Sequence, residues 1–258
     1  VQYEFYETAG PQDAWKKAQE FEIDSYDALV AVGGDGTIHE VVNGLLMRPD
    51  GRKIPVGFLP NGSGDDCCGN LGLDTGDIQT ALKFILAGQT IKIDAVRALL
   101  DYDTREELET ACEADPSIDF AKHLRYSITN SGLCLSANIA RNAKWLKPYI
   151  GGAAYDVQAL IELAKPKHVC YDIEVDEGSL NSTKEEGMVA WKQNLAVTFL
   201  NIYNGKYGGG RMNLSPTSLL NDGYFNLCVY NQQLGPLTAN YLFTKVKRGG
   251  IHIYEDLI

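Results

Sequence analysis

Ala28-Leu29-Val30-Ala31-Val32-Gly33-Gly34-Asp35-Gly36-Thr37 is the stretch that decides how this 258-residue chain is read. Five apolar residues run without a polar break, as in a strand of a parallel sheet covered on both faces. Glycines and an aspartate then end the strand. Beyond them Ile38, Val41, Val42, Leu45 and Leu46 fall at i, i+3, i+4, i+7 and i+8, the spacing of an amphipathic helix over 37–47. A second turn of the same kind, Pro60-Asn61-Gly62-Ser63-Gly64-Asp65-Asp66, closes the strand-like run 54–59. Strand, turn, helix, strand and turn in this order predict a βαβ unit whose two turns leave the same edge of a parallel sheet. That edge is where α/β proteins hold ligands.

The same rhythm extends outward. Residues 2–8 are predicted as a strand. Residues 13–21 are predicted as a helix with Ala14, Trp15, Ala18 and Phe21 on one face. A helix over 78–87, with Ile78, Ala81, Leu82, Ile85 and Leu86 inward, stops at Gly88. A strand over 90–96 carries Asp94. Between 97 and 122 acids crowd together, and Thr104-x-x-Glu107 spells a capping box, as expected of a solvated acidic insertion. From residue 123 the pattern turns to strands, over 125–130, 170–175, 195–203 and 224–230, with helices over 135–143 and 153–164. The expected plan is an α/β nucleotide-binding domain over 1–96, the insertion over 97–122 and a β-rich substrate domain over 123–258.

Composition narrows the function. A net charge of −11 and a pI near 4.8 argue against nucleic acid as partner, and against holding an anionic membrane by bulk charge. No run of 18 apolar residues is present, so no spanning helix is expected. Six cysteines fit neither a zinc pattern nor a dense disulfide framework, which points to reduced thiols and a cytoplasmic setting. The chain opens mid-pattern on Val1-Gln2-Tyr3-Glu4-Phe5, as expected of an excerpt of a longer protein.

The turns also suggest a chemistry. Glycines let backbone N–H groups approach an anion, and a helix start adds donors and a favourable dipole. The carboxylates of Asp35 and Asp66 would repel a phosphate unless a divalent cation stood between them, which suggests a Mg²⁺–nucleotide. Asp94 is a third acidic position at a strand end. The P-loop signature is absent, and Gly34-Asp35-Gly36-Thr37-Ile38-His39 lacks the third glycine of the dinucleotide fingerprint.

Gly33-Gly34-Asp35-Gly36-Thr37-Ile38-His39-Glu40-Val41-Val42-Asn43-Gly44-Leu45 resembles the GGDGT-x-x-E-V-x-N-G-L signature of the diacylglycerol kinase catalytic domain, shared by sphingosine, ceramide and bacterial lipid kinases. Leu59-Pro60-Asn61-Gly62-Ser63-Gly64-Asp65-Asp66 resembles that family's L-P-x-G-[ST]-G-N-D. Asn204-Gly205-Lys206-Tyr207-Gly208-Gly209-Gly210 and Asn221-Asp222-Gly223-Tyr224-Phe225 resemble elements of its second domain. The resemblance implies a NAD-kinase-like parallel α/β domain followed by a β-sandwich-like domain, with ATP in the cleft between them. It implies that Thr8, Gly33 to Glu40 (Gly33, Gly34, Asp35, Gly36, Thr37, Ile38, His39 and Glu40), Gly62, Ser63 and Gly64 line the nucleotide. Asp35, Asp66 and Asp94 would form the acidic network around catalytic Mg²⁺. Asp222, with the backbone carbonyls of Leu219 and Tyr224, would hold a structural Mg²⁺ or simply make a hairpin turn. The implied activity is γ-phosphoryl transfer from ATP to a lipid hydroxyl, on diacylglycerol, a sphingoid base or ceramide, at a membrane surface reached peripherally.

Three departures accompany the match. The family's N-P-x-[SG]-G turn and its D-G-E segment, which bears a glutamate resembling a general base, have no counterpart here, and Asp65 replaces the usual asparagine. A NAD-kinase-like small-molecule kinase and a degenerate, non-catalytic nucleotide- or lipid-binding domain are the alternatives. No amphipathic basic stretch announces a membrane contact.

Overall fold

The computed structural model describes residues 1–164, 167–175, 191–230 and 236–247. They fall into two units, Val1–Thr129 and Asn130–Ile258. In the first, β1 (Leu29–Gly33) and β2 (Val56–Pro60) pair in parallel, with Leu29 opposite Val56 and Gly33 opposite Pro60. Two helices precede β2: α1 (Asp13–Glu20) and α2 (Asp35–Leu46). Ala14, Ala18, Ile38, Val41, Leu45 and Phe58 form the centre of the core. Ile38, Val41, Val42 and Leu45 of α2 are buried as their spacing assigns, Leu46 is half-buried, and Asn43 and Gly44 are buried with them. Arg48 closes the end of α1: its Nη1 donates to the carbonyls of Gln19 (2.7 Å) and Phe21 (3.1 Å), while Asp50 pairs with Nη2 at 2.6 Å. A cation there meets carbonyls that the helix leaves unpaired.

Two further helices follow β2: the short α3 (Asp66–Asn70) and α4 (Ile78–Ala87). Asp77 caps α4 by accepting from the Thr80 amide at 3.0 Å, and Gly88, at φ 67°, ends it as predicted. The inward stripe is only partly realised. Ala81 is buried, but Ile78, Leu82 and Leu86 are exposed, because the two-stranded sheet beneath the helix is too narrow to cover the whole stripe.

Two predicted strands do not form. Residues 2–8 make no regular element and stay exposed, with no described strand beside them to supply ladder partners. In place of a strand over 90–96, β3 (Val96–Leu99) begins two residues after Asp94 and pairs antiparallel with β4 (Leu124–Ser127). Between them lie α5 (Arg105–Ala114), with its Thr104/Glu107 capping box, and α6 (Phe120–His123). The acidic stretch 97–122 is therefore folded into the first unit. Leu108 and Leu124 are fully buried in a satellite core with Met47.

The second unit is mixed. β5 (Asn130–Cys134), β8 (Phe199–Tyr203) and β11 (Asn226–Tyr230) form an antiparallel sheet in the order β11-β8-β5. Separate antiparallel pairs join β6 (Val169–Val175) to β7 (Trp191–Val197) and β9 (Tyr207–Gly208) to β10 (Met212–Asn213). The helices are α7 (Leu135–Asn142), α8 (Lys147–Ile150), α9 (Ala153–Ala164) and α10 (Pro236–Lys247). The single strand predicted over 195–203 breaks at Thr198. Its amide donates to the Tyr230 carbonyl (3.0 Å) and its carbonyl accepts from the Leu135 amide (3.2 Å), so the chain leaves one sheet and enters the next. Among the described residues the content is mixed α and β: one parallel pair, then separate antiparallel sheets among helices, so the second unit is not purely β.

Candidate nucleotide site

The register that sets Gly33 opposite Pro60 brings both glycine turns to one edge of the β1–β2 sheet. They touch backbone to backbone. A Cβ added to Gly34 would lie 2.9 Å from Cα of Gly62, and one on Gly33 would lie 2.6 Å from the Thr37 hydroxyl oxygen. A side chain at either turn would force them apart. The Asn61 amide donates to the Gly33 carbonyl at 3.1 Å, which zips the second turn to the first.

Gly34 is the N-cap of α2 and supplies no side-chain cap. Its carbonyl accepts from the Thr37 amide (3.0 Å) and the Ile38 amide (3.2 Å). The amides of Asp35 and Gly36 head the helix, where no intrahelical acceptor precedes them. Such an end is a ready anion site.

Asp35 links the turns in a way its sequence position does not reveal. Its carboxylate accepts from the Asp66 amide (3.2 Å) and the Cys67 amide (2.9 Å), so it caps α3 from 31 and 32 residues away. Asp35 and Asp66 are thus neighbours. Asp65 is fully buried, at φ 50° and ψ 40°, and accepts from the Gly62 amide at 2.9 Å. Rather than standing out beside a phosphate, its carboxylate folds back under the turn. Burial, followed by the neighbouring Cys68, Asp35 and Asp66, pushes the Cys67 thiol well above its ordinary range. All six cysteines are free thiols.

The remaining candidates spread outward. Gly64 and the exposed Ser63 lie on the second turn. Ile38 faces the core. Glu40 reaches toward α1, where it accepts from the Gln12 amide at 2.9 Å. This anchors the segment after the exposed Thr8, which Asp13 also steadies by accepting from the Ala9 amide at 2.6 Å. Desolvation of the His39 ring, and then the Arg125 guanidinium, lowers its pKa, although the residue keeps an exposed edge. Asp94 lies outside any strand, ahead of β3. Among the described residues no three His, Cys, Asp or Glu side chains are grouped to hold a metal ion. In the second unit Asp222 is exposed and accepts from the Tyr224 amide at 3.0 Å, an Asx-type turn.

Sequence reasoning missed the role of Asn43. It is fully buried on α2. Its Nδ2 donates to the carbonyls of Tyr126 (2.9 Å) and His39 (2.8 Å), while its Oδ1 accepts from the Tyr126 amide (2.8 Å). The carboxamide thus docks on β4 like one peptide of a further strand and fixes α2 in place. The signal was an amide on an otherwise apolar helix face.

Known proteins resemble this chain in sequence and in fold. The family described as "Diacylglycerol kinase catalytic domain" matches residues 1–98. "Diacylglycerol kinase" of Staphylococcus aureus (strain JH9) is 28% identical over 245 residues, covering 95% of this chain and 65% of that protein. "Probable lipid kinase YegS" of Salmonella arizonae is 25% identical over 218 residues, covering 84% of this chain and 61% of that protein. A solved diacylglycerol kinase structure from Bacillus anthracis str. Sterne superposes with a TM-score of 0.55 at 17% identity, covering 97% of this chain and 66% of that one. The chain thus spans about two thirds or less of the length of these relatives. No helix among the described residues is long and apolar enough to cross a membrane. Residues 1–98, which hold both glycine turns, are the part of the chain that is similar to the diacylglycerol kinase catalytic domain.

Proposed function

We propose that this chain is part of an ATP-dependent lipid kinase that transfers the γ-phosphoryl group to a lipid hydroxyl. The observation that carries this is the contact of the two glycine turns beside an α2 end with no side-chain cap. A cradle that a Cβ would fill, lined by helix-end amides, fits a polyphosphate. Asp35 and Asp66 fit Mg²⁺, which takes one or two carboxylates and completes its shell with phosphate oxygens and water, so no preformed three-carboxylate cage is required. When bound, Mg²⁺ neutralises charge on the β- and γ-phosphates.

The chain's own part is positioning. The amides of Asp35 and Gly36 orient the phosphates, and the second turn closes over them through Ser63 and Gly64. Asp35 holds α3 in register with α2. Glu40 steadies the flank by holding the Gln12 amide, Thr8 touches the nucleotide, and Asp94 adds its charge to the acidic network of Asp35 and Asp66. On the same proposal the two units correspond to a NAD-kinase-like domain and a β-sandwich-like domain. Asp222, with the carbonyls of Leu219 and Tyr224, holds a structural Mg²⁺. Diacylglycerol is the first acceptor to test, with sphingoid base and ceramide beside it.

Calorimetric titration with Mg–ATP should show one site on the chain, and labelled ATP with mixed-lipid vesicles should yield a phosphorylated lipid from the full protein. Phosphorylation of NAD instead would move the assignment to a NAD-kinase-like enzyme. Nucleotide binding without any product would leave a non-catalytic domain, and loss of neither in Gly34→Val would overturn the site.

A further inference from the structure

The second unit carries a surface that the phosphate turns do not use. Residues 130–155 contain no aspartate or glutamate but three cations, Arg141, Lys144 and Lys147, in a chain of net charge −11. The stretch folds as α7, a 3-10 turn over Ala143–Trp145, and α8. Its base is fixed. Ala143 and Ala154 are fully buried, and the Asn142 and Gln158 amides donate to Oε1 of Glu162 at 2.7 and 2.9 Å. Glu162 is thereby occupied beneath the surface. The outer side is aromatic and apolar: Trp145 is 62% exposed, Tyr149 82% and Ile150 42%. The Lys147 ammonium stands 5.8 Å from the ring centroid of Tyr155, within cation–π range.

Large apolar groups held in water on a braced frame mark an interaction site. Tryptophan and tyrosine, apolar in body and polar at one edge, suit the headgroup level of a bilayer. Lysines are depleted at protein–protein interfaces but are attracted to anionic lipid. Within 130–155 no carboxylate opposes such a surface, and the nearest in sequence beyond it is the exposed Asp156.

We propose that Trp145, Tyr149 and Ile150, flanked by Lys144 and Lys147, dock this chain on a bilayer containing anionic phospholipid. The docking gives the proposed kinase access to its acceptor and rests on that reading only for its purpose.

Sedimentation with vesicles tests it, using phosphatidylcholine with and without phosphatidylserine, and no diacylglycerol, sphingoid base, ceramide or nucleotide. The chain should sediment with the anionic vesicles, less so at high salt and weakly with phosphatidylcholine alone. Lys144→Gln with Lys147→Gln should weaken the association roughly 30-fold, at about fivefold per lysine near an anionic surface. Trp145→Ala with Tyr149→Ala should abolish it. Circular dichroism and Mg–ATP titration of both variants should match the parent, since the altered side chains are exposed. Failure of the parent chain to bind anionic vesicles, or equal binding by either variant, would overturn the proposal. So would preferential capture of polyglutamate, which would make the surface a protein-docking site. A negative result here leaves the kinase assay untouched, and the absence of kinase activity leaves vesicle binding untouched.

Discussion

Replacing Asn43 by alanine should loosen α2 from β4 and lower stability substantially. The substitution removes the group that satisfies both the amide and the carbonyl of Tyr126. Leaving a buried donor or acceptor unpaired costs about 1–3 kcal/mol each. Two such groups give about 2–6 kcal/mol, reduced by roughly 0.5 kcal/mol for the better helix propensity of alanine. With a urea m-value of about 2 kcal/mol/M, the midpoint of the first unit should fall by roughly 1–3 M. Asn43→Asp tests the geometry further. A carboxylate can still accept from the Tyr126 amide but cannot donate to the Tyr126 or His39 carbonyls, so it should be no better than alanine at neutral pH. Urea titration followed by hydrogen exchange at the Tyr126 amide is the assay, because that amide reports the contact itself. A midpoint shift below about 0.3 M, or unchanged exchange at Tyr126, would refute the account of Asn43 as the tie between helix and strand.

Other expectations concern the turns and pH. Gly34→Val places a side chain against Gly62 and should cut Mg–ATP affinity at least tenfold while costing about 1–3 kcal/mol of stability, read by calorimetry and urea titration. Asp35→Ala removes the α3 cap as well as a carboxylate, so it should destabilise by about 1–2 kcal/mol in addition to weakening Mg–ATP binding; Asp66→Asn should weaken binding with little loss of stability. His39 gives a pH dependence. Its folded pKa lies below the unfolded value of about 6.5, so it is silent above that pH. As pH falls through and below that value the unfolded chain takes up the proton first, and stability drops. His39→Gln should flatten the curve there. The lowered carboxylates Asp13, Asp50, Asp77 and Asp115 lose their contributions only as pH falls below about 3.8, in a separate window.

The placement of the two glycine turns was legible because it is local. Two glycine turns after two apolar runs suffice to place both at one sheet edge, and the bounds of α4 and α9 follow from their apolar spacing and the glycine stop. What sequence could not give is long-range. Residues 2–8 have strand-like alternation, but a strand exists only where another backbone meets it. Asp94 was assigned to a strand whose start depends on pairing with β4, nearly thirty positions further along. The grip of Asp35 on α3 joins residues that no local window contains. The exposed aromatics around Trp145 are invisible as a surface until α7 and α9 fix which side of the stretch faces water.

The break at Thr198 makes a single covalent thread a member of two hydrogen-bonded ladders. Tension arriving along the β6–β7 pair passes through one peptide into β8, which is clamped on both flanks by β5 and β11. Fraying that begins in the outer pair is therefore arrested at this junction. Amide protection in that pair should decay toward its far end and rise abruptly at the step into β8.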